Sequence, residues 1–297
     1  MGKDIAAAFP VARQLFEEVD ETLGFALSRL CFEGPEEELK LTRNTQPAIL
    51  TVSAAIDRVL REESGLRAGI LAGHSLGEYS AIVSGGGLTP AEGASIVQQR
   101  GAFMQEAVAV GAGAMAAIVG PSLEEIQSIC DEASEGEVVS PANINAPGQI
   151  VIAGTKSAVQ RAMDIAKKRG IRKSLLLPVS APFHCALMKP AEEKLRVVLD
   201  AAPFQTLRVP VVSNVDAAPV ATDGAVRNAL LRQVCSPVRW VESVQKMIGM
   251  GVIRFIEVGP GSVLTGLIKR IDPTVELITI NNAESLRAAI DRDPVEQ

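Results

Sequence analysis

The sequence predicts an α/β fold: a large subdomain over 1–111 and 181–297 with a mostly parallel sheet, and a small subdomain inserted at 112–180. Three observations carry this reading. An apolar run, 68–72, leads into Gly73-His74-Ser75-Leu76-Gly77, and a small-residue run, 78–83, leads out, which reads as strand, sharp turn and helix. Residues 112–180 show the order β-α-β-β-α-β, the ferredoxin-like arrangement. Beyond 181, strand and helix patterns alternate, which implies parallel strands covered by helices on both faces.

The elements follow in order. Val11, Leu15, Phe16, Val19, Leu23, Ala26, Leu27 and Leu30 keep helical spacing, predicting one helix over 11–31 that Gly34-Pro35 breaks. Thr45-Gln46-Pro47 introduces a second helix, 48–61, with Pro47 in its first turn. A strand at 68–73 precedes the sharp turn, and Gly85-Gly86-Gly87 ends the helix after it. Thr89-Pro90-Ala91-Glu92 has the form of a capping box for a helix running past Arg100 and Met104. The small subdomain reads as strands at 114–119, 138–143, 149–154 and 173–178 with helices at 122–133 and 157–170. Asn145-Ala146-Pro147-Gly148 turns between its middle strands.

After the insertion come a helix (188–201), a strand (209–213) and a helix (224–234). A helix at 238–250 follows, with Ser236-Pro237 as its cap. A strand (252–258) then closes on Gly259-Pro260-Gly261, ahead of a helix from Ser262, a strand (275–280) and a short helix. Sites in such sheets form at the C-terminal ends of strands, so Ser75, Asn214 and Gly259 are expected to converge.

Composition excludes several functions. The 297 residues carry 29 basic and 35 acidic side chains, a net charge of −6 with no basic block, which argues against a nucleic-acid footprint. With 47 % apolar residues but one Trp and one Tyr, the core must be aliphatic. Cys31, Cys130, Cys185 and Cys235 lie far apart and only two histidines occur, so no metal site is expected. Reduced thiols and a cytoplasmic location are the default. No N-terminal apolar segment suggests a signal peptide, and Ala6 does not fit a myristoylation site. The longest uncharged apolar stretch, 107–123, holds three glycines and a proline and reads as loop plus buried strand, so no membrane span is expected.

Gly73-His74-Ser75-Leu76-Gly77 fits the nucleophile elbow G-x-S-x-G of an α/β-hydrolase-like sheet. Gly73 and Gly77 are both expected where a side chain would clash with the turn. The plainer reading is a glycine-rich turn capped by a serine. A serine hydroxyl needs an adjacent base. His74 leaves the elbow in another direction and reads as a wall residue. His184, in Ser180-Ala181-Pro182-Phe183-His184-Cys185 at the subdomain junction, is expected as general base and then general acid; the alternative is a satisfied loop histidine. No Asp or Glu stands out to orient it, and a backbone carbonyl could fix its tautomer instead. The amide of Leu76, at a helix start, is the expected first oxyanion donor, and another βα loop normally supplies the second. Arg100, with Gln98, Gln99 and Gln105 around it, can hold a carboxylate by two parallel bonds, although a lone helical arginine is usually a solvated charge.

Five segments together resemble a known family. They are Gly73-His74-Ser75-Leu76-Gly77-Glu78-Tyr79-Ser80-Ala81, the Gln99-Arg100-Gly101 to Met104-Gln105 stretch, Asn145-Ala146-Pro147-Gly148-Gln149, Ala181-Pro182-Phe183-His184 and Glu257-Val258-Gly259-Pro260-Gly261. They look like the malonyl-CoA:acyl-carrier-protein transacylases and the related acyltransferase domains of polyketide synthases, over about residues 2–282. The resemblance implies a ping-pong transfer in fatty-acid synthesis. Ser75 takes malonyl from coenzyme A as an ester, and the phosphopantetheine thiol of acyl carrier protein accepts it. It further implies that Arg100 pairs with the malonyl carboxylate, that His184 is the base, and that the carbonyl of Gln233 orients it. Gln46 and Asn143 match positions lining the cleft, and Phe183 matches the malonyl-preferring pattern. No metal or cofactor is implied, since the coenzyme A thioester is a substrate. A monomer is expected, with no membrane or nucleic-acid partner.

Competing readings are a trans-acting polyketide acyltransferase, a serine hydrolase and a non-catalytic module that binds carrier protein. One departure is expected. Family members open with a strand and a Gly-Gln-Gly-Ser-Gln loop that closes on a Met-Gly pair, and Met1-Gly2 looks like that pair. The first strand and the glutamine giving the second oxyanion donor are then missing, a loss worth on the order of 10²–10³ in rate. A misassigned start is the preferred explanation.

Overall fold

The computed structural model describes residues 1–179 and 181–294. Ser180, expected to end the small subdomain, and 295–297 lie outside the described residues.

Two helices, α1 (Lys3–Ala8) and α2 (Pro10–Leu23), open the chain. The single helix expected over 11–31 is in fact α2 and α3 (Leu27–Glu33). Gly24 ends α2 in the left-handed region (φ 72°), which a residue without Cβ enters freely. The apolar spacing runs through the break because Leu15, Phe16, Val19 and Leu27 all enter one core.

A single turn, α4 (Glu36–Leu39), leads to α5 (Thr42–Glu63). This helix starts six residues before the expected 48 and holds Pro47 inside it. The proline is the sixth residue of the helix, so it leaves the Arg43 carbonyl without its i+4 donor. The consequence is functional: Gln46 rides on a rigid helix into the interior, not on a loop.

Strand β1 (Leu71–Ala72) is shorter than expected and gives way to the turn and α6 (Leu76–Ser84). The capping box forms: Thr89 Oγ1 accepts from the Glu92 N–H and the Glu92 carboxylate accepts from the Thr89 N–H, starting α7 (Pro90–Glu106). Helix α7 lies close on α5 because Gly101 has no Cβ, which would stand 2.6 Å from the Thr42 carbonyl oxygen. That contact fixes the neighbouring Arg100.

The inserted segment supplies β2 (Gly113–Val119), α8 (Leu123–Ser134), β3 (Val139–Ala146), β4 (Gln149–Thr155), α9 (Lys156–Lys168) and β5 (Lys173–Leu176). Its sheet has the order β3-β4-β2-β5, all antiparallel. One face packs Ala116, Ile118, Ile150 and Ile152 against Ile126, Ile129 and Ala162 of the two helices. The other packs Met115, Val151 and Ala153 against Cys185, with Phe183 and Leu187 beside it. Gly113 starts β2 hard against Pro182, at 2.4 Å from where its Cβ would be.

After a 3-10 turn (Ala186–Met188) come α10 (Lys189–Ala201), β6 (Val211–Val212), β7 (Pro219–Val220), α11 (Asp223–Gln233), α12 (Trp240–Gly249), β8 (Arg254–Val258), α13 (Val263–Ile271), β9 (Glu276–Ile280) and α14 (Ala283–Arg292). Helix α12 starts at Trp240 and not after Ser236-Pro237. Val238 is taken up instead by a bridge to Asn143, its N–H donating to the Ala142 carbonyl. Strand β7 was not expected, since two residues show no alternation. β1 and β6 pair in parallel, β7 is antiparallel to β6, and β8 pairs with β9 in a separate parallel sheet. Among the described residues, no helix is long and apolar enough to cross a membrane.

The glycine contacts predict opposite outcomes for two substitutions. Gly101→Ala drives a Cβ into the backbone of α5 and is expected to destabilise the protein by about 1–3 kcal/mol. Gly224→Ala, on α11 with no atom within 4 Å of the new Cβ, is expected to stabilise by about 0.4–1 kcal/mol. Urea unfolding of both variants tests this; equal losses would refute the packing account.

Candidate active site

The elbow sits between β1 and α6. Ser75 has φ 52° and ψ −106°, a strained conformation for a residue with a side chain. The turn closes through the Gly77 N–H to the His74 carbonyl (2.9 Å) and the Glu78 N–H to the Ser75 carbonyl (3.1 Å). A Cβ on Gly73 would lie 1.9 Å from the Gly77 carbonyl oxygen, so no side chain fits there. The clash expected at Gly77 itself is absent: a Cβ there would meet nothing within 4 Å. Gly77 contributes the backbone that Gly73 must avoid.

Two strand ends converge. β1 and β6 are parallel neighbours, so Asn214 emerges beside the elbow. Its Oδ1 accepts from the Ser75 N–H (2.7 Å) and its Nδ2 donates to the Gly73 carbonyl (2.7 Å). One side chain thus spans the strained turn. Gly259, at φ 126°, packs on Ser53 of α5, whose Oγ is 2.4 Å from the position a Cβ would take.

His184 reaches Ser75 across the junction. Its Nε2 lies 2.8 Å from Ser75 Oγ and its Nδ1 lies 2.9 Å from the Gln233 carbonyl oxygen. A carbonyl only accepts, so Nδ1 carries the hydrogen and Nε2 accepts from the serine hydroxyl. His184 itself has φ 61°, so both members of the pair are held in sparsely populated backbone conformations. Burial foremost, with the nearby Arg100 charge, pushes the imidazole down to about 3. The ring is therefore neutral, in the form a general base requires.

Arg100 closes the group from α7. Its guanidinium donates to Ser75 Oγ (3.1 Å), Gln233 Oε1 (2.8 Å) and Gln46 Oε1 (2.7 Å) and lies over the Tyr79 ring. It is 1 % exposed, and all three bonds go to uncharged oxygens. Burial shifts it below the usual arginine value. A buried cation that bonds no carboxylate among the described residues, beside a nucleophile, suits a substrate with an anionic group.

The remaining expectations divide. Gln46 joins the cluster through Arg100. Phe183 packs between the main core and the inner face of the small sheet. The Leu76 amide is the first of α6, one of the donors that a helix start leaves without an intrahelical acceptor. His74 turns away, as a wall residue: its Nε2 lies 2.8 Å from Asn145 Oδ1, and its ring tilts against Trp240. Asn143 is placed by its backbone bridge to Val238 and, among the described residues, makes no side-chain hydrogen bond to the cluster; Asn145, two residues on, makes the cross-cleft contact.

Sequence reasoning missed the side chain of Gln233 and the whole of Glu78. Gln233 Nε2 donates to the Ser75 carbonyl (2.9 Å) and to Glu78 Oε2 (2.7 Å). Glu78 stands three residues after Ser75, a helical spacing that places it beneath the elbow, and that spacing was the available signal.

The acyl transferase domain family matches residues 1–286. The chain is 49 % identical over 288 residues to the malonyl CoA-acyl carrier protein transacylase of Escherichia coli strain K12, covering 97 % of this chain and 93 % of that protein. It superposes on the malonyl CoA-acyl carrier protein transacylase of Coxiella burnetii with a TM-score of 0.96 at 40 % identity, over 99 % of this chain and 93 % of that one. It also resembles a malonyl-transacylase solved with a type II PKS acyl-carrier protein (TM-score 0.95, 48 % identity, 99 % and 95 % covered).

Because His184 is neutral down to about pH 3, imidazole protonation should not limit Ser75 between about pH 5 and 8. Acylation of Ser75 by p-nitrophenyl acetate, an uncharged reagent, is expected to stay level as pH falls across that range. His184→Ala is expected to slow it by about 10²–10⁴-fold. A loss centred near pH 6.5 would show an ordinary, solvated histidine instead.

Proposed function

The chain belongs to the acyl transferase domain family, and from that premise we propose that it moves malonyl from malonyl-CoA to the phosphopantetheine thiol of an acyl carrier protein. The observation that carries the reading is the Arg100 guanidinium 3.1 Å from Ser75 Oγ, buried and, among the described residues, without a carboxylate bonded to it.

Ser75 Oγ attacks the thioester carbonyl as its proton passes to His184 Nε2. The Gln233 carbonyl, already bonded to Nδ1–H, stabilises the imidazolium. The oxyanion lies toward the Leu76 amide, where the start of α6 favours negative charge. Collapse expels the coenzyme A sulfur, which takes the proton back from His184, and leaves a malonyl ester on Ser75. The carrier thiol then repeats the steps in reverse order. Throughout, Arg100, steadied by Gln46 and Gln233, holds the free carboxylate. Phe183 narrows the space beside the α-carbon, and Asn143 borders the cleft.

The chain's own residues supply this chemistry without a metal or cofactor. We take 112–180 as the small subdomain closing over the site and the remainder as the large one. The enzyme acts as a cytoplasmic monomer in fatty-acid synthesis. A polyketide carrier is the second reading, favoured by the 48 % identity to the transacylase solved with such a carrier.

Arg100→Ala is expected to slow Ser75 acylation by malonyl-CoA at least tenfold more than acylation by acetyl-CoA, since a charge-assisted bidentate contact is worth about 1.5–3 kcal/mol. Equal losses would remove the carboxylate clamp. With malonyl-CoA and no thiol, intact-protein mass spectrometry should find a persistent malonyl-enzyme. Rapid hydrolysis would make the chain a serine hydrolase. Adding holo carriers of the two pathways separately then identifies the acceptor.

A further inference from the structure

Glu78 has no part in the steps above, yet it is buried at the centre of the site. It is 1 % exposed. Its Oε2 accepts from Gln233 Nε2 (2.7 Å) and from the Asn214 N–H (3.2 Å), while its buried Oε1 has no partner among the described residues. The Gln233 amide that donates to Glu78 accepts at its other end from Arg100 (2.8 Å). A single amide therefore links a buried carboxyl to a buried guanidinium.

We propose that Glu78 determines specificity: it is the internal counter-charge of Arg100 and yields that role to the substrate's carboxylate by taking up a proton. The inference rests on the malonyl reading above. The carboxylate of the donor brings a second negative charge to Arg100 and occupies the cation that had stabilised Glu78. Both effects favour the neutral acid, whose proton comes from solvent. An acetyl donor does neither.

The groups facing Glu78 support this balance. From α7 comes Arg100, from α6 Tyr79, from the loop after β6 Asp216, and from α11 Arg232. Asp216 and Arg232 pair with each other (2.6 and 2.9 Å) and largely cancel. Burial holds the Tyr79 phenol neutral. Burial, opposed by the bonds from Gln233 and Asn214 and by Arg100, raises Glu78 to about 7. The sign follows: a carboxylate on Arg100 raises it further, so donor binding takes up a proton above about pH 7 and weakens as pH rises.

The test is the ratio of second-order rate constants for Ser75 acylation by malonyl-CoA and acetyl-CoA from pH 6 to 9. The acetyl donor cancels the titration of the shared coenzyme. The ratio is expected to fall with pH by up to about tenfold per unit above pH 7 in the native chain, and to be level in Glu78→Gln. A ratio level in the native chain, or one still falling in Glu78→Gln, overturns the proposal. Should Glu78→Gln not fold, calorimetry of malonyl-CoA binding to Ser75→Ala in two buffers of different ionisation enthalpy counts the protons. Uptake of a proton at pH 8, absent with acetyl-CoA, supports the proposal, and none overturns it. Failure of malonyl-CoA to label native Ser75 would instead defeat the malonyl reading itself.

Discussion

Gln233 is the residue on which the site depends. Its backbone carbonyl fixes the His184 tautomer, and its side-chain amide ties the Arg100 guanidinium, the Ser75 carbonyl and Glu78 to one another. It is fully buried at the last turn of α11, where a carbonyl has no intrahelical partner and is available to another group. The same carbonyl also accepts from the Ser236 N–H (3.4 Å), so one acceptor at the helix end holds the following turn and supports the catalytic base. An acid in that position would add a second negative charge beside Glu78, whereas a carbonyl orients the ring without one.

The polar network lies inside an otherwise aliphatic interior. Around α5, Leu50, Val52, Ile56 and Val59 join Ile82 of α6 and Val97 of α7 in one core, and those three helices carry Gln46, Glu78 and Arg100. Rigid packing of the carriers lets the polar groups keep their distances without water between them. The low local dielectric strengthens every bond within the network and makes each unmatched charge costly. Arg100 and Glu78 therefore respond sharply to any new charge placed between them.

Much of this arrangement was legible in the chain. Ser75 announced itself through strand, turn and helix, and the shortage of histidines left His184 as the candidate base. Resemblance, rather than spacing, raised Arg100, Gln233 and Gln46 above ordinary helical polar residues. The breaks were less visible. Apolar spacing ran straight through Gly24, because two helices sharing one core keep a common apolar face. β7 was too short to alternate, and Val238 left its expected helix for a partner ninety-five positions earlier in the chain, Asn143. Asn214 was legible as a residue following a strand end, whereas Asn145 owes its role to a tertiary neighbour, and nothing local distinguishes it from a turn asparagine.

Gly73 also bears on which changes the gene can accept. Every other amino acid adds the same Cβ, and that atom meets the Gly77 carbonyl oxygen at 1.9 Å whatever follows it. The chemistry of the replacement is then irrelevant, so in a saturation library the whole column at position 73 fails alike. Two positions to the other side of Ser75, the open space at Gly77 leaves room for a Cβ, so that position is expected to accept at least alanine. The two glycines of one motif are thus under different constraints: position 73 cannot take a single added atom, whereas a Cβ at position 77 meets nothing within 4 Å.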